Sequence, residues 1–307
     1  MSDATTLAIG LVGYGEVGKI LTAALTERKL AWVGAWDILL RDATSATPMK
    51  AHAARAGVDA VGSMAELTAR AGVIVSAVTA SQAWTVADEA ARSIRPGTWF
   101  LDLNSCSPGT KQRSSQRVDG AGGRFVESAV MTTVPQYGIG VPMLLGGRDA
   151  PALRALLAPL GFDMQVADER VGVASATKMC RSVMIKGLES LLVESLASAR
   201  AYGVEDRVLA SLHETFPGLD WEKVASYMVM RTALHGRRRA EEMREVAATV
   251  RDAGLDPWMS SATAERQDWM ATQKEPAGFA QVGKDANWRE YADRLLTLLE
   301  RRRPAAD

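Results

Sequence analysis

The stretch Leu7-Ala-Ile-Gly-Leu-Val-Gly13-Tyr-Gly15-Glu-Val-Gly18 decides the fold that we predict for this chain. Its apolar first half, Leu7 to Val12, predicts a buried strand. The three glycines that follow have the spacing G-x-G-x-x-G, and residues 19–28 have the pattern of a helix. A strand, a glycine turn and a helix in this order are typical of the first half of a dinucleotide-binding unit.

Each glycine of such a unit has its own physical role. Gly13 permits a tight turn, Gly15 lets the backbone approach a pyrophosphate, and Gly18 lets the helix pack closely against the strand. The phosphates would lie at the helix N-terminus, where free N–H groups and the helix dipole favour negative charge. The predicted cofactor-binding residues of the turn are Gly13, Tyr14, Gly15, Glu16, Val17 and Gly18.

A second apolar run, Ala31 to Trp36, ends in Asp37. An acidic residue about 20 positions after the first glycine, at the end of the second strand, is a suitable partner for a ribose 2′-hydroxyl. Because a carboxylate repels a 2′-phosphate, Asp37 favours NAD, although the nearby Arg41 keeps NADP open. Trp36 belongs either to the core, which we favour, or to the adenine pocket.

The composition excludes several classes of protein. The 307 residues are 47% hydrophobic and 23% charged, which is ordinary for a globular protein and suggests two domains. Lys plus Arg equals Asp plus Glu, at 36 each, so no net charge attracts nucleic acid or an anionic membrane. Without a signal peptide, a membrane span, a disulfide framework or metal-ligand spacing, the sequence predicts a soluble cytoplasmic protein with no metal site.

The chain changes character near residue 170. Before it, strands alternate with helices, which predicts a mostly parallel, doubly wound sheet of Rossmann type. After it, every predicted element is helical. We therefore expect an NAD(P)-binding α/β domain at residues 1–170 and an all-α substrate and dimerisation domain at residues 171–307.

Three local expectations accompany this division of the chain. Residues 38–50 are predicted to be a loose stretch that precedes a helix at 51–56. Asp149 is predicted to cap a helix that runs to residue 160. Separate helices are predicted at residues 220–231 and 233–253.

The long helix predicted from Ala174 to Tyr202 carries a polar stripe that includes Lys178, Ser182 and Glu189. At about 100° per residue these side chains share one side of the helix. A polar stripe on an otherwise apolar helix requires water, partners or a ligand. Lys178 is nearest the predicted domain junction and is either functional or solvated, whereas Glu189 is expected to be structural.

A basic cluster in the helical region comprises His235, Arg237, Arg238 and Arg239. Glu241 and Glu242 have the helical spacing to pair with these side chains. We favour an ion-paired surface or subunit interface over the alternative, an anion clamp for a substrate carboxylate or phosphate.

The chain resembles the β-hydroxyacid dehydrogenase superfamily, which includes 3-hydroxyisobutyrate and 6-phosphogluconate dehydrogenases, over nearly its whole length. The resemblance rests on the glycine motif at residues 10–18 and on three further segments. These are Asp102-Leu-Asn104-Ser105-Cys-Ser-Pro108, Glu127-Ser-Ala-Val130-Met131-Thr132-Thr133 and Gly172-Val-Ala174-Ser-Ala-Thr-Lys178-Met-Cys-Arg181. The resemblance implies that Lys178 is the catalytic residue and that the protein is a homodimer.

Two of these segments depart from the superfamily's usual pattern. A Ser-Gly-Gly turn is replaced by Met131-Thr132-Thr133, and the asparagine one turn after the lysine is replaced by Arg181. In the superfamily these positions contact the substrate's carboxylate and hydroxyl, so the departures argue against an ordinary hydroxyisobutyrate or phosphogluconate dehydrogenase. With the His235 segment, the chain is similar to a phosphogluconate dehydrogenase-like branch that has its own C-terminal domain.

The resemblance and the strand ends together imply the remaining site residues. Val78 and Thr79 follow the fourth strand and are predicted to contact the cofactor, as is Asn104. The predicted substrate-binding residues are Asn104, Ser105, Met131, Thr132, Thr133, Arg181, Ser182 and His235. For Asn104 and Ser105 the alternative is a turn and helix cap before Pro108.

These residues predict an NAD(P)-dependent oxidoreductase that acts on the CH–OH group of a small β-hydroxy acid or related alcohol. A lysine accepts the hydroxyl proton if burial or a neighbouring cation lowers its pKa, and this makes Lys178 the general acid/base. One alternative is an imine reductase, although the resemblance there implies Asp or Tyr at the position of Lys178. The other is a non-catalytic dinucleotide-binding protein.

Overall fold

The computed structural model of this chain describes residues 6–273, 278–279, 282–283 and 286–301. Contacts within the chain divide it into two units, Met1–Met179 and Cys180–Asp307. The domain boundary that we predict from the sequence, after residue 170, comes nine residues before this division and stays a prediction.

The first unit contains a sheet that has eight strands among the described residues. They are β1 (Ala8–Val12), β2 (Trp32–Trp36), β3 (Asp59–Ala60), β4 (Val73–Ser76), β5 (Trp99–Asp102), β6 (Arg124–Val130), β7 (Met143–Gly146) and β8 (Met164–Asp168). Across the sheet they lie in the order β3-β2-β1-β4-β5-β6-β7-β8, and β7 runs antiparallel to β6. The chain moves outward from β1 to β3 and then returns to β4 beside β1, so the sheet is doubly wound.

Helices pack against both faces of this sheet. They are α1 (Glu16–Thr26), α2 (Ala43–Arg55), α3 (Met64–Arg70), α4 (Ala83–Ala91), α5 (Pro108–Asp119), α6 (Val134–Tyr137) and α7 (Ala150–Leu157). Successive strand residues point to opposite faces, so Val126 joins the core under α1 and α7, while Phe125 joins the core under α4 and α5. The predicted fold class, a Rossmann-type doubly wound sheet followed by a helical region, is confirmed.

Helices make up the rest of the described chain. They are α8 (Val173–Tyr202), α9 (Glu205–Thr215), α10 (Trp221–Asp252), α11 (Trp258–Gln273) and α12 (Trp288–Glu300). Their apolar faces form a core around Leu192, Leu196, Trp288 and Tyr291. No helix in the described ranges is long and apolar enough to cross a membrane.

The prediction for residues 38–50 is wrong, because α2 begins at Ala43 rather than at residue 51. The Asp42 side chain accepts a hydrogen bond from the N–H of Ser45 (2.9 Å) and so caps this earlier start. Pro48 lies inside α2 and cannot donate a backbone hydrogen bond, but the helix continues past it to Arg55.

Asp149 is the N-cap residue of α7, as the sequence predicts. Its side chain makes no capping hydrogen bond, however, and instead pairs with Arg124 and Arg148. Partial burial alone would raise the pKa of Asp149, but the hydrogen bonds and positive charges of Arg124 and Arg148 together outweigh this effect and lower it. An ion pair to a neighbouring strand therefore replaces the local cap.

The predicted break between residues 231 and 233 does not occur, because α10 is continuous. Thr232 is fully buried, and its hydroxyl donates a hydrogen bond to the carbonyl oxygen of Met228 (3.0 Å). A β-branched threonine whose hydroxyl is satisfied in this way is tolerated within a helix.

Two helical glycines of the second unit provide a matched test of the packing. A Cβ at Gly236 in α10 would lie 2.5 Å from the carbonyl oxygen of Gln267 in α11. Gly236→Ala is therefore expected to lower the free energy of unfolding by about 1–3 kcal/mol through overpacking. A Cβ at Gly187 in α8 would have no described heavy atom of another element within 4 Å, so Gly187→Ala is expected to raise this free energy by about 0.5–1 kcal/mol.

Urea denaturation of the two variants beside the wild-type protein measures both changes. An unchanged stability in Gly236→Ala, or a loss of stability in Gly187→Ala, would contradict the helix packing described above.

Candidate active site

The glycine turn between β1 and α1 is tightly closed at both ends and open in the middle. Gly13 has a positive φ of 93°, and a side chain at Gly13 or Gly18 would collide with the backbone of Ala77 or of Gly13, respectively. A Cβ at Gly15, in contrast, would have no heavy atom of the described residues within 4 Å. The structure thus requires glycine at the first and third positions for its own packing, and it leaves space at the second.

The N-terminus of α1 opens onto that space. Gly15 is its N-cap residue, and no side chain among the described residues caps the helix. The first N–H groups therefore remain for a ligand, and together with the helix dipole they suit a phosphate. Tyr14 is buried with its hydroxyl 3.1 Å from Nδ1 of His52, so at this point the turn offers its backbone rather than the phenol ring.

Asp37 lies at the end of β2, directly beside the turn. One carboxylate oxygen accepts the N–H of Tyr14 (2.7 Å), and the other accepts the N–H of Leu39 (3.0 Å). Arg41 pairs with Glu89 (2.8 Å). Trp36 is only 2% exposed and belongs to the core, so the favoured interpretation of Trp36 is confirmed and it does not form an adenine pocket.

Lys178 and Ser105 are brought together across 73 positions of sequence. The ammonium group of Lys178, in the second turn of α8, donates a hydrogen bond to the Ser105 hydroxyl at 2.6 Å. Ser105 follows the carboxyl end of β5, where ligands of doubly wound sheets bind. The Lys178 side chain is partly buried.

Asn104 joins the ends of β4 and β5. Its amide oxygen accepts the N–H of Val78 (2.7 Å), and its amide nitrogen donates to the Ser76 hydroxyl (2.9 Å). The predicted helix cap before Pro108 is made by Ser107 rather than by Asn104. Thr79 begins the next segment with its hydroxyl 3.2 Å from that of Ser81.

A buried ion pair joins β5 to α5, the two elements on either side of Ser105 in the chain. The Lys111 ammonium is 3.1 Å from a carboxylate oxygen of Asp102 and also donates to the Asp102 carbonyl (2.8 Å). Both side chains are almost completely buried. Burial would lower the pKa of Lys111, but the charge and hydrogen bond of Asp102, together with the neighbouring Cys106 and Glu127, outweigh this effect and raise it.

A second buried carboxylate, Glu127 of β6, reaches the beginning of α8. One of its oxygens accepts the N–H groups of Gly172 (2.7 Å) and Ala174 (3.1 Å). Two of the first N–H groups of the helix that carries Lys178 are therefore satisfied from the sheet.

The substituted segment Met131-Thr132-Thr133 follows the carboxyl end of β6, next to the end of β5 that precedes Ser105. The N–H of Met131 donates to the carbonyl of Pro142 (3.0 Å), Thr132 is exposed, and Thr133 is the N-cap residue of α6. The segment thus lies at the same edge of the sheet as Ser105.

The other predicted substrate residues belong to the second unit. Arg181 and His235 are exposed, whereas Ser182 is buried with its hydroxyl 3.4 Å from the Lys186 ammonium. Lys186 in turn pairs with Glu242 at 2.7 Å.

The basic cluster divides into two parts. Arg239 is buried and makes two hydrogen bonds to Glu189, which also accepts one from Gln267 (3.1 Å). Arg237 and Arg238 are exposed. The structural role expected for Glu189 is confirmed. Glu242 pairs with Lys186, and its expected pairing with the cluster stays a prediction. Arg239 is thus part of the helical core and not of an anion clamp.

The comparisons with known proteins agree with this arrangement. A profile for the NAD binding domain of 6-phosphogluconate dehydrogenase matches residues 8–160, and one for a domain of unknown function, DUF1932, matches residues 199–270. The conserved protein MTH1747, of unknown function and structurally similar to 3-hydroxyacid dehydrogenases, is 30% identical. The match covers 86% of this chain and 96% of that one, with a TM-score of 0.69. This chain belongs to the β-hydroxyacid dehydrogenase superfamily.

Other members and relatives extend the comparison. A conserved hypothetical protein from Sinorhizobium meliloti is 36% identical over 97% of both chains, with a TM-score of 0.77. The 3-hydroxyisobutyrate dehydrogenase of Mycobacterium tuberculosis, solved with L-serine, has a TM-score of 0.67 at 18% identity, over 94% of this chain and 99% of that one. A reductive aminase from Aspergillus terreus has a TM-score of 0.55 at 15% identity, over 87% and 95%. The last two show the fold alone.

This protein has buried charged residues, near Ser105 and the start of α8, that were not predicted from its sequence. Lys111 and the roles of Asp102 and Glu127 were missed. The available signal was an acidic residue at the end of one buried strand, Asp102 of β5, and another in the middle of the next, Glu127 of β6. Among the described residues no group of three or more metal-ligating side chains occurs.

The difference between Gly15 and Gly18 predicts separate effects on cofactor and on stability. Gly15→Ala meets no described atom of the protein but fills the space at the N-terminus of α1, so it is expected to weaken NADH and NADPH binding at least tenfold without lowering the melting temperature. Gly18→Ala is the control and is expected to lower the melting temperature, because its Cβ collides with the Gly13 carbonyl. Fluorescence titration and thermal unfolding measure these effects; undiminished cofactor binding by Gly15→Ala would contradict the assignment.

Proposed function

We propose that this chain is an NAD(P)-dependent oxidoreductase that acts on the CH–OH group of a small β-hydroxy acid or related alcohol, with Lys178 as general acid/base. The observation that carries the proposal is the 2.6 Å hydrogen bond between Lys178 and Ser105 at the carboxyl end of β5. A lysine and a hydroxyl in contact at this edge of a nucleotide-binding sheet are suited to moving a proton.

The reaction divides between the cofactor and the protein. When bound, the nicotinamide supplies the two-electron redox chemistry. Lys178 in its neutral form accepts the hydroxyl proton of the alcohol at Nζ, and in the reverse direction it returns this proton to the carbonyl oxygen. Ser105 accepts one N–H of the Lys178 amine and so holds this amine at the carboxyl end of β5, where the reacting oxygen is proposed to bind.

The glycine turn supports a nicotinamide dinucleotide as the cofactor. Gly15 leaves room for a pyrophosphate, and the first N–H groups of α1 supply the hydrogen bonds. We propose NAD over NADP because Asp37 places a carboxylate where a 2′-phosphate would have to lie, and because Arg41 is already paired with Glu89. Val78 and Thr79 are proposed to contact the cofactor mainly through their backbone.

The substrate is proposed to be a small molecule with a carboxylate. At the sheet edge Asn104, Ser105 and the segment 131–133 are the proposed contacts, and in the second unit the proposed contacts are Arg181, Ser182 and His235. We further propose that decarboxylation depends on whether the product is a β-keto acid. The homodimer stays a prediction from the family likeness.

Imine reduction is a second candidate function, and the fold shared with the Aspergillus terreus reductive aminase favours it. Against it, the position where imine reductases are expected to have Asp or Tyr is occupied by Lys178. Turnover of cyclic imines with NADPH, together with no turnover of any alcohol, would favour this alternative.

A panel of hydroxy acids, sugar acids and aryl alcohols, each with NAD and with NADP, tests the proposed function by absorbance of the reduced nicotinamide. With any substrate found, Lys178→Ala is expected to lower kcat by about 10²–10⁴-fold, because it removes the proton acceptor. Its dissociation constant for NADH is expected to stay unchanged.

Lys29→Ala is the matched control, since Lys29 is an exposed lysine between the end of α1 and the start of β2, away from the carboxyl ends of the strands. It is expected to keep the wild-type kcat. Wild-type turnover in Lys178→Ala with intact cofactor binding would sink the proposed role of Lys178.

A further inference from the structure

Three residues with related roles lie in one row across three neighbouring strands. Asp102 of β5 is the register partner of Glu127 of β6, and Glu127 is in turn the register partner of Gly146 of β7. Asp102 and Glu127 are fully buried. Two adjacent buried carboxylates are costly unless each has its own compensating partner.

Each carboxylate of the row has such a partner. Asp102 pairs with Lys111, and Glu127 receives two N–H groups at the positive end of the α8 dipole. In the chain, Lys111 of α5 follows Ser105, and the two N–H groups that Glu127 accepts precede Lys178.

Glu127 determines where α8 begins. Gly172, which precedes the helix, has a positive φ of 109°, and the chain turns there into the helix. The carboxylate then accepts the N–H groups on either side of Val173, at 2.7 and 3.1 Å. Lys178 follows Ala174 by four residues, which is about 6 Å along the axis of a regular helix. A displacement of the capped end is therefore transmitted to the Lys178 side chain within little more than one helical turn.

Gly146 makes room for the Glu127 carboxylate. A Cβ at position 146 would collide with the carboxylate oxygen that accepts the two N–H groups, and it would also lie 2.9 Å from Cγ of Glu127. The antiparallel pairing of β7 thus places a residue without a side chain directly beside Glu127.

Asp102 fixes the segment that carries Ser105, as Glu127 fixes the start of α8. Its carboxylate accepts the N–H of Asn104 (2.9 Å), and Lys111 holds both its side chain and its carbonyl. The segment between β5 and α5 that carries Ser105 is therefore fixed to the same row of the sheet as the start of α8.

We propose that Glu127 is a positioning residue that sets the contact between Lys178 and Ser105 by anchoring the beginning of α8 to the sheet. The role rests on the proposed function of Lys178, and it adds a residue that never touches the reacting atoms. Gly146 is the complementary position, because only glycine leaves the Glu127 carboxylate in place.

The test follows Lys178 itself and needs no substrate. Reductive methylation with ¹³C-formaldehyde labels the amines of the lysines, of which the sequence has nine. The Lys178 signal in the NMR spectrum is assigned by its absence in Lys178→Arg. In the wild-type protein this signal is expected to be resolved from those of exposed lysines, because the amine is held against Ser105.

Four variants distinguish the effect of the position of the Glu127 carboxylate on the Lys178 signal from the effects of its charge and of a general loss of stability. Glu127→Asp keeps the charge but withdraws the carboxylate by one methylene, and Gly146→Ala displaces it, so both are expected to move the Lys178 signal toward that of exposed lysines. Glu127→Gln retains an oxygen that accepts the same two N–H groups and is expected to keep the wild-type signal. Ser63→Ala removes the cap of α3, where the Ser63 hydroxyl accepts the N–H of Glu66 (3.1 Å), and is expected to leave Lys178 unchanged.

An unmoved Lys178 signal in folded Glu127→Asp, or an equal movement in Ser63→Ala, would overturn the proposal. If Gly146→Ala does not fold, the two variants of Glu127 still test the proposal. Glu127→Asp differs from the wild type by one methylene, and Glu127→Gln differs by one charge.

Kinetics with a substrate, once found, provide the second readout. Glu127→Asp is expected to lower kcat by up to about 10²-fold, as a misplacement near 1 Å does, with an unchanged affinity for NADH. Glu127→Gln is expected to keep a kcat close to that of the wild-type protein. If the Lys178 signal moves as expected while Lys178→Ala keeps full turnover, the positioning by Glu127 stands and the proposed function of Lys178 fails.

Discussion

The candidate site depends on the compensation of two buried carboxylates on neighbouring strands. Asp102 is balanced by Lys111, and Glu127 by the positive end of α8. Removing one partner of such a buried pair costs about 3–5 kcal/mol, because the other charge is left without compensation. The contacts that avoid this cost also hold the segment that carries Ser105 and the helix that carries Lys178. The compensation of the two buried charges therefore also fixes the geometry of the site.

Much of the fold could be predicted from the sequence because its information is local. The apolar strands, the glycine turn before α1 and the change to a helical pattern near residue 170 are all visible within short windows. The errors arose where another local or distant partner decided the outcome. Asp42 caps α2 earlier than predicted, and the Thr232 hydroxyl is satisfied inside α10.

The site was predictable only in part, since its contacts join distant positions. The resemblance to a superfamily identified Lys178 and Ser105, but the contact between them spans 73 residues and follows from the fold. Lys111 looks like any lysine of a polar helix, and nothing in its neighbours predicts that it is fully buried. The basic cluster shows the opposite case, in which a conspicuous run of charge contains the core residue Arg239.

A crystal structure of the protein with bound NADH tests the proposed cofactor site and the role of Lys178 together. We expect the pyrophosphate to contact the N–H groups at the start of α1, beside Gly15. We expect the nicotinamide ring to face the amine of Lys178 and the hydroxyl of Ser105. A nucleotide bound away from the glycine turn, or a nicotinamide directed away from Lys178, would contradict these expectations.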